Sequence, residues 1–132
     1  MTRTETLPIK TAQHVVVVRQ RVRAATLESG FGLIDQTKVI TAASELARNT
    51  LDYGQGGDLT IETLQDGSKK GVRLTFEDQG PGIPDMALAL TDGWTSGNGL
   101  GMGLTGARRL MSEFEIDSVV GKGTRIVVTK WK

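Results

Sequence analysis

FEDQGPGIPDMALALTDGWTSGNGLGMGLTGARRLMSEF, residues 76–114, is the stretch on which the reading of this chain turns. An apolar strand ends in an acid, Asp78, and a Gly80-Pro81-Gly82 turn follows. A Gly/Ser/Thr-rich segment then leads to alternating Gly99, Gly101 and Gly103, after which a new helix is expected to begin. Glycine at this density sacrifices backbone entropy and supplies no side chains for a core, so the stretch needs a functional explanation. A helix start preceded by glycines presents unpaired N–H groups and a positive dipole end, and the bare backbone can come close to an anion. The spacing therefore predicts a phosphate-cradling lid beside a pocket for a flat base. A mobile surface loop is the competing reading of this element taken alone.

Working outward, Val72 to Asp78 alternates in polarity, with Val72, Leu74 and Phe76 on one face. A period of two places Asp78 on that same inward face. A carboxylate there requires a donor, because an unpaired buried charge is heavily penalised. Gly80 and Gly82 leave room beside it, and the carboxylate can accept the exocyclic amino group of adenine, where guanine presents a carbonyl. A turn-capping aspartate is the alternative. Asp58 to Gln65 alternates as well and pairs with this strand across an Asp66–Gly71 turn as a hairpin.

The strongest helical pattern starts near Asp35, a plausible N-cap, and runs to Asp52, with Tyr53-Gly54 closing it. Ile40, Ala43, Ala47, Thr50 and Leu51 form its apolar stripe; Glu45, Arg48, Asn49 and Asp52 share another face. Mg²⁺ takes oxygen ligands and keeps several waters, so the Asn49 amide oxygen with phosphate oxygens would suffice to hold it. Glu45, one turn away, suits a general base for an incoming hydroxyl or water. A solvated Glu/Asn pair is the plain alternative.

The flanks complete the architecture. His14 to Val18 is β-branched and predicts a strand; Arg19 to Ser29 predicts a helix buried through Val22, Ala25 and Leu27. His14, the only histidine, suits a structural role. Beyond the glycines, Leu104, Ala107, Leu110, Met111 and Phe114 recur at core spacing, then Glu115–Val120 and Thr124–Trp131 form a closing hairpin. Helices segregated from mostly antiparallel strands predict an α+β, two-layer α/β sandwich, with the sheet mixed but mostly antiparallel and the helices on one face. At 132 residues the whole chain, 1–132, reads as one domain. A net charge of +1 gives no electrostatic case for nucleic acid or an acidic membrane, and the absence of cysteine excludes thiol chemistry. No apolar run reaches the roughly 18 residues of a membrane helix, and no signal-peptide pattern opens the chain, so cytoplasm is the expectation.

Two glycine motifs mislead. Gly101-Met102-Gly103-Leu104-Thr105-Gly106 matches a dinucleotide fingerprint but lacks the strand that must precede it, and Gly121-Lys122-Gly123-Thr124 lacks Walker spacing. Taken in order, Glu45-x-x-x-Asn49, Asp78-Gln79-Gly80-Pro81-Gly82, Gly99-x-Gly101-x-Gly103 and Gly121-Lys122-Gly123-Thr124 resemble the N, G1, G2 and terminal Gly-Thr boxes of the GHKL ATPase/kinase superfamily. That resemblance covers nearly the whole chain and implies the Bergerat ATP-binding fold. It implies that Asp78 binds adenine with support from Thr124, that Asn49 holds Mg²⁺, and that Glu45 is the catalytic base. It further implies nucleotide contacts from Gly80, Gly82 and Ile83 at the base, and from Gly99, Leu100, Gly101 and Gly103 at the phosphates. Ser44 stands where histidine kinases usually carry a histidine before the glutamate.

Ser44–Asn49, Glu77–Pro84, Arg109-Leu110-Met111 and Lys130-Trp131 closely resemble the RsbT-type switch kinases of bacterial stress signalling, which resemble anti-sigma factors in fold. The resemblance implies ATP- and Mg²⁺-dependent phosphorylation of a serine or threonine on a STAS-domain antagonist. Activation of an effector such as a PP2C-type phosphatase would follow. The alternatives are an anti-sigma factor of the same fold and a nucleotide-gated scaffold without kinase activity. Trp94 and the Arg19–Arg23 segment are candidate docking positions, and no dimer face stands out.

Overall fold

One antiparallel sheet and three helices account for the architecture of the computed structural model, which describes residues 3–82 and 100–132, with 100–103 as backbone alone. In chain order the elements are β1 (Arg3–Ile9), α1 (Ala12–Glu28), α2 (Leu33–Asp52), β2 (Gly57–Asp66), β3 (Lys69–Asp78), α3 (Leu100–Leu110), β4 (Glu113–Val119) and β5 (Gly123–Trp131). The strands lie in the order β1-β2-β3-β5-β4, and every pairing is antiparallel. The expected α+β sandwich is therefore present, and among the described residues the sheet has no parallel pair such as a mixed sheet would contain.

Strand parity builds the core. Leu59 and Ile61 of β2, Val72, Leu74 and Phe76 of β3, and Ile126 and Val128 of β5 are buried on one face, against Val18 and Val22 of α1 and Val39, Ala43, Leu46 and Ala47 of α2. The opposite face carries polar pairs such as Arg73–Glu62, 3.6 Å apart. Small residues at Ala42, Ala43 and Ala47 let α2 approach the sheet and α1 closely. The β2–β3 hairpin turns tightly at Gly67-Ser68, where Gly67 takes φ 64°.

The N-terminal third departs from the sequence expectation. His14 to Val18 is helical, not a strand, and the first strand is instead Arg3–Ile9. Val15, Val18, Val22 and Ala25 are buried at helical spacing while Val16 is 43% exposed. Burial of that stripe outweighs the small helix penalty of β-branched residues. Thr11 caps the helix by accepting the N–H of His14, whose Nδ1 in turn accepts the N–H of Lys10 at 2.9 Å. This reciprocal arrangement resembles a capping box and gives His14 its structural role. Leu27, expected in the core, is exposed.

β1 reads as polar because it is an edge strand. Its inward positions include Glu5, which pairs with Arg21 of α1 at 2.6 Å, and Pro8 lies where a missing donor is tolerated. Arg21 is thus tied to β1 and does not stand free beside Arg19 and Arg23. The α2 helix begins at Leu33 with Gly32 at the cap, so Asp35 lies in the first turn, where its charge favours the helix dipole. α3 starts at Leu100, within the glycine motif and not after it. Phe114, read as part of that helix, belongs to β4.

Candidate functional site

Asp78 ends β3, a central strand, and its backbone is in register with Gly57 of β2 on one side and Thr124 of β5 on the other. Its side chain turns toward the helix layer, as parity requires. There it meets the close of α2: a Cβ added at Gly54 would lie 2.4 Å from the Asp78 carboxylate. Gly80 is equally confined, since its Cβ would lie 2.7 Å from the Gly54 carbonyl oxygen. The glycines flanking Asp78 are therefore demanded by packing as well as by turn geometry. Gly123, at φ 131°, passes so close to the Asp78 carbonyl that no side chain fits there.

The carboxylate is half-buried, and desolvation pushes its pKa above the ordinary aspartate range. Hydrogen bonds from the backbone N–H groups of Gly80 and Thr124 act in the opposite direction. The Gly80 N–H donates to Asp78 Oδ1 at 2.9 Å. A carboxylate has further acceptor capacity beyond these two donors, so it is suited to take an amino group from a ligand. Thr124 is buried at the same level, and its hydroxyl lies 2.8 Å from that of Ser118 on β4. Ser118 also donates to the Gly123 carbonyl at 3.3 Å.

The raised pKa has a definite sign. A proton binds the folded state more tightly than the unfolded chain, so the contribution of Asp78 to stability is complete below its unfolded pKa. That contribution fades as pH rises through the folded value. An amino donor from a ligand favours the ionised form. For the adenine nucleotide that the sequence resemblance implies, such as ADP, affinity is expected to fall as pH drops from neutral toward the raised Asp78 pKa, with an Asp78→Asn variant losing this dependence. Calorimetric titrations across mildly acidic pH provide the check, and a wild-type affinity indifferent to pH would contradict the expectation.

Glu45 and Asn49 lie on α2, whose C-terminal end abuts Asp78. Glu45 is exposed and Asn49 half-buried. The N–H groups of Tyr53 and Gly54 both donate to the Asn49 carbonyl, at 3.0 and 3.1 Å, and close the helix. Asn49 thus stands about 6 Å along the helix axis from Tyr53, given a rise of about 1.5 Å per residue. No cluster of three or more His, Cys, Asp or Glu suited to a metal occurs among the described residues. A divalent ion here would therefore depend on the Asn49 amide oxygen together with oxygens of a bound phosphate, which suits Mg²⁺.

Leu100, Gly101 and Gly103 fall in the first turn of α3, where backbone N–H groups lack intrahelical acceptors. The helix start thus falls inside the glycine motif and not after it, and α3 packs on α2. Ile83, Gly99 and Trp94 lie outside the described residues. The sequence reading overlooked Tyr53, Gly54 and Ser118 as contributors. Gly54 was visible as a helix stop, but its contact with Asp78 joins positions 24 residues apart. A hollow of about 220 Å³ lined by Arg73, Thr75 and Thr129 opens on the far face of the sheet and does not include Asp78.

Residues 34–132 match the family described as histidine kinase-, DNA gyrase B-, and HSP90-like ATPase. Over 123 residues the chain is 47% identical to the serine/threonine-protein kinase RsbT of Bacillus subtilis, covering 93% of this chain and 92% of that one. It is 34% identical over 99 residues to the anti-sigma F factor of Clostridium novyi, covering 71% and 69% of the two chains. A crystal structure of RsbU and RsbW domains from Mycobacterium tuberculosis aligns with a TM-score of 0.67 at 22% identity. That alignment covers 100% of this chain and 33% of the crystallised one, so the chain spans a third of its length. The mycobacterial sensor histidine kinase MprB aligns with a TM-score of 0.59 at 18% identity, over 98% and 97% of the two chains. Both structural likenesses concern the fold.

Proposed function

The chain belongs to the histidine kinase-, DNA gyrase B- and HSP90-like ATPase family, and from that premise we propose that it is an ATP-dependent serine/threonine-protein kinase of a partner-switching module. The observation that carries the reading is the placement of a desolvated carboxylate, Asp78, against the end of the helix that bears Glu45 and Asn49. Likeness to the Bacillus kinase along nearly the whole chain supports protein phosphorylation as the activity.

In this reading Asp78 accepts the adenine amino group, with Thr124 beside it, and the wall at Gly80 and Gly82 admits the flat base, with Ile83 assigned to the base from the sequence alone. The first-turn amides of α3, at Leu100, Gly101 and Gly103, face the phosphates, and Gly99 is assigned to them from the sequence alone. Bound Mg²⁺, held by Asn49 and phosphate oxygens, would neutralise charge on the transferring group. Glu45, exposed on the same helix, takes the proton from the acceptor hydroxyl as its oxygen bonds to the γ-phosphorus. The bond from γ-phosphorus to the bridging oxygen breaks, and ADP departs. Ser44 leaves no histidine beside Glu45, in keeping with a hydroxyl acceptor on another protein.

The substrate proposed is a STAS-domain antagonist, whose phosphorylation releases this chain to activate an effector such as a PP2C-type phosphatase of a stress pathway. No described helix is long and apolar enough to cross a membrane, and the cytoplasm is the proposed location. An anti-sigma role is the second reading, favoured by the likeness to anti-sigma F factors. Incubation with γ-labelled ATP, Mg²⁺ and purified STAS proteins tests the proposal. Label on one serine or threonine is expected, and absence of transfer to every STAS protein tried would favour a nucleotide-gated binding role.

A further inference from the structure

The turn after Asp78 is held from two sides. On one side the N–H of Gly121, at the tip of the β4–β5 hairpin, donates to the Pro81 carbonyl at 2.9 Å. On the other, the Tyr53 hydroxyl donates to the Gly82 carbonyl at 3.2 Å. Gly82, at φ 78°, lies so close to the hairpin that a Cβ there would be 2.5 Å from the Val119 carbonyl oxygen. The turn is thus wedged between the close of α2 and the hairpin tip. Its own glycines supply no side chains to restrain it, so beyond the Gly80 N–H bond to Asp78 Oδ1 it is these outside contacts that hold it.

Tyr53 occupies the junction. Its ring packs at the edge of the core, its N–H donates to the Asn49 carbonyl, and its hydroxyl reaches Gly82. One residue therefore links the helix bearing Glu45 and Asn49 to the turn whose Gly80 N–H orients the Asp78 carboxylate. We infer that Tyr53 is a positioning residue that holds the Asp78 turn at a set distance from Asn49, so that base and phosphates of one nucleotide are engaged together. The inference rests on the nucleotide reading proposed above. Tyr53 acts through the turn and touches no reacting atom.

The Tyr53→Phe variant removes the hydroxyl and keeps the ring in the core. ADP and ATP affinities, measured by calorimetry, are expected to fall about three- to tenfold, the scale of one net hydrogen bond. The loss should be equal for the two nucleotides, because the clasp acts at the base end. Exchange of the Gly80 and Gly121 amide protons should accelerate, while the thermal midpoint stays within about 2 °C of wild type. Unchanged affinity with unchanged exchange would overturn the inference. So would a large fall in thermal midpoint accompanied by exchange accelerated throughout the chain, which marks a merely structural role. If the wild-type protein binds neither ADP nor ATP, the nucleotide reading fails, and the positioning of a nucleotide is overturned with it. Exchange at Gly80 and Gly121 in Tyr53→Phe then reports separately on whether the clasp itself exists.

Discussion

Asp78→Asn is expected to weaken ADP binding by about 10- to 100-fold, the range for losing a hydrogen bond to a charged group. The carboxylate already receives N–H donors from Gly80 and Thr124, so the single amide oxygen of asparagine is drawn to them. The amide NH₂ then faces the amino group of the base, donor against donor. Stability should not suffer. Removing a charge disfavoured by desolvation leaves the thermal midpoint unchanged or slightly higher at neutral pH. Calorimetric titration with ADP alongside a melting curve separates the effects, and retention of full affinity would sink the adenine assignment.

Glu45→Ala is expected to do the opposite. Glu45 is exposed and lies on a different helical turn from the contacts around Asp78. Its loss should leave ADP affinity intact and the fold undisturbed. Phosphoryl transfer to a protein acceptor should drop by about 10²- to 10⁴-fold, the usual contribution of a positioned general base. A single-turnover assay at saturating ATP reads this directly. Full transfer by Glu45→Ala would remove the residue from the mechanism.

Legibility along the chain followed the range of the interactions involved. Strand parity placed Asp78 inward, and the structure finds its side chain turned to the helix layer. The i, i+4 spacing put Glu45 and Asn49 on one helix near its end, where they are found. Both hairpins were readable from alternation and turn residues. Val15 to Val18 misled because β-branching is a weak local preference, whereas burial of one face against α2 and the sheet is a stronger tertiary one. β1 escaped notice because an edge strand needs little apolar content, and its Glu5 is satisfied by Arg21 of the following helix.

Sequence by itself therefore determined the fold class, the inward face of Asp78 and the shared helix of Glu45 and Asn49, all consequences of local period and residue type. Only the tertiary structure decided how they are held. Gly54 and Gly80 in contact, Ser118 beside Thr124, and Tyr53 reaching Gly82 are meetings between positions distant in the chain. Periodicity says which way a side chain faces; close packing alone says what it meets.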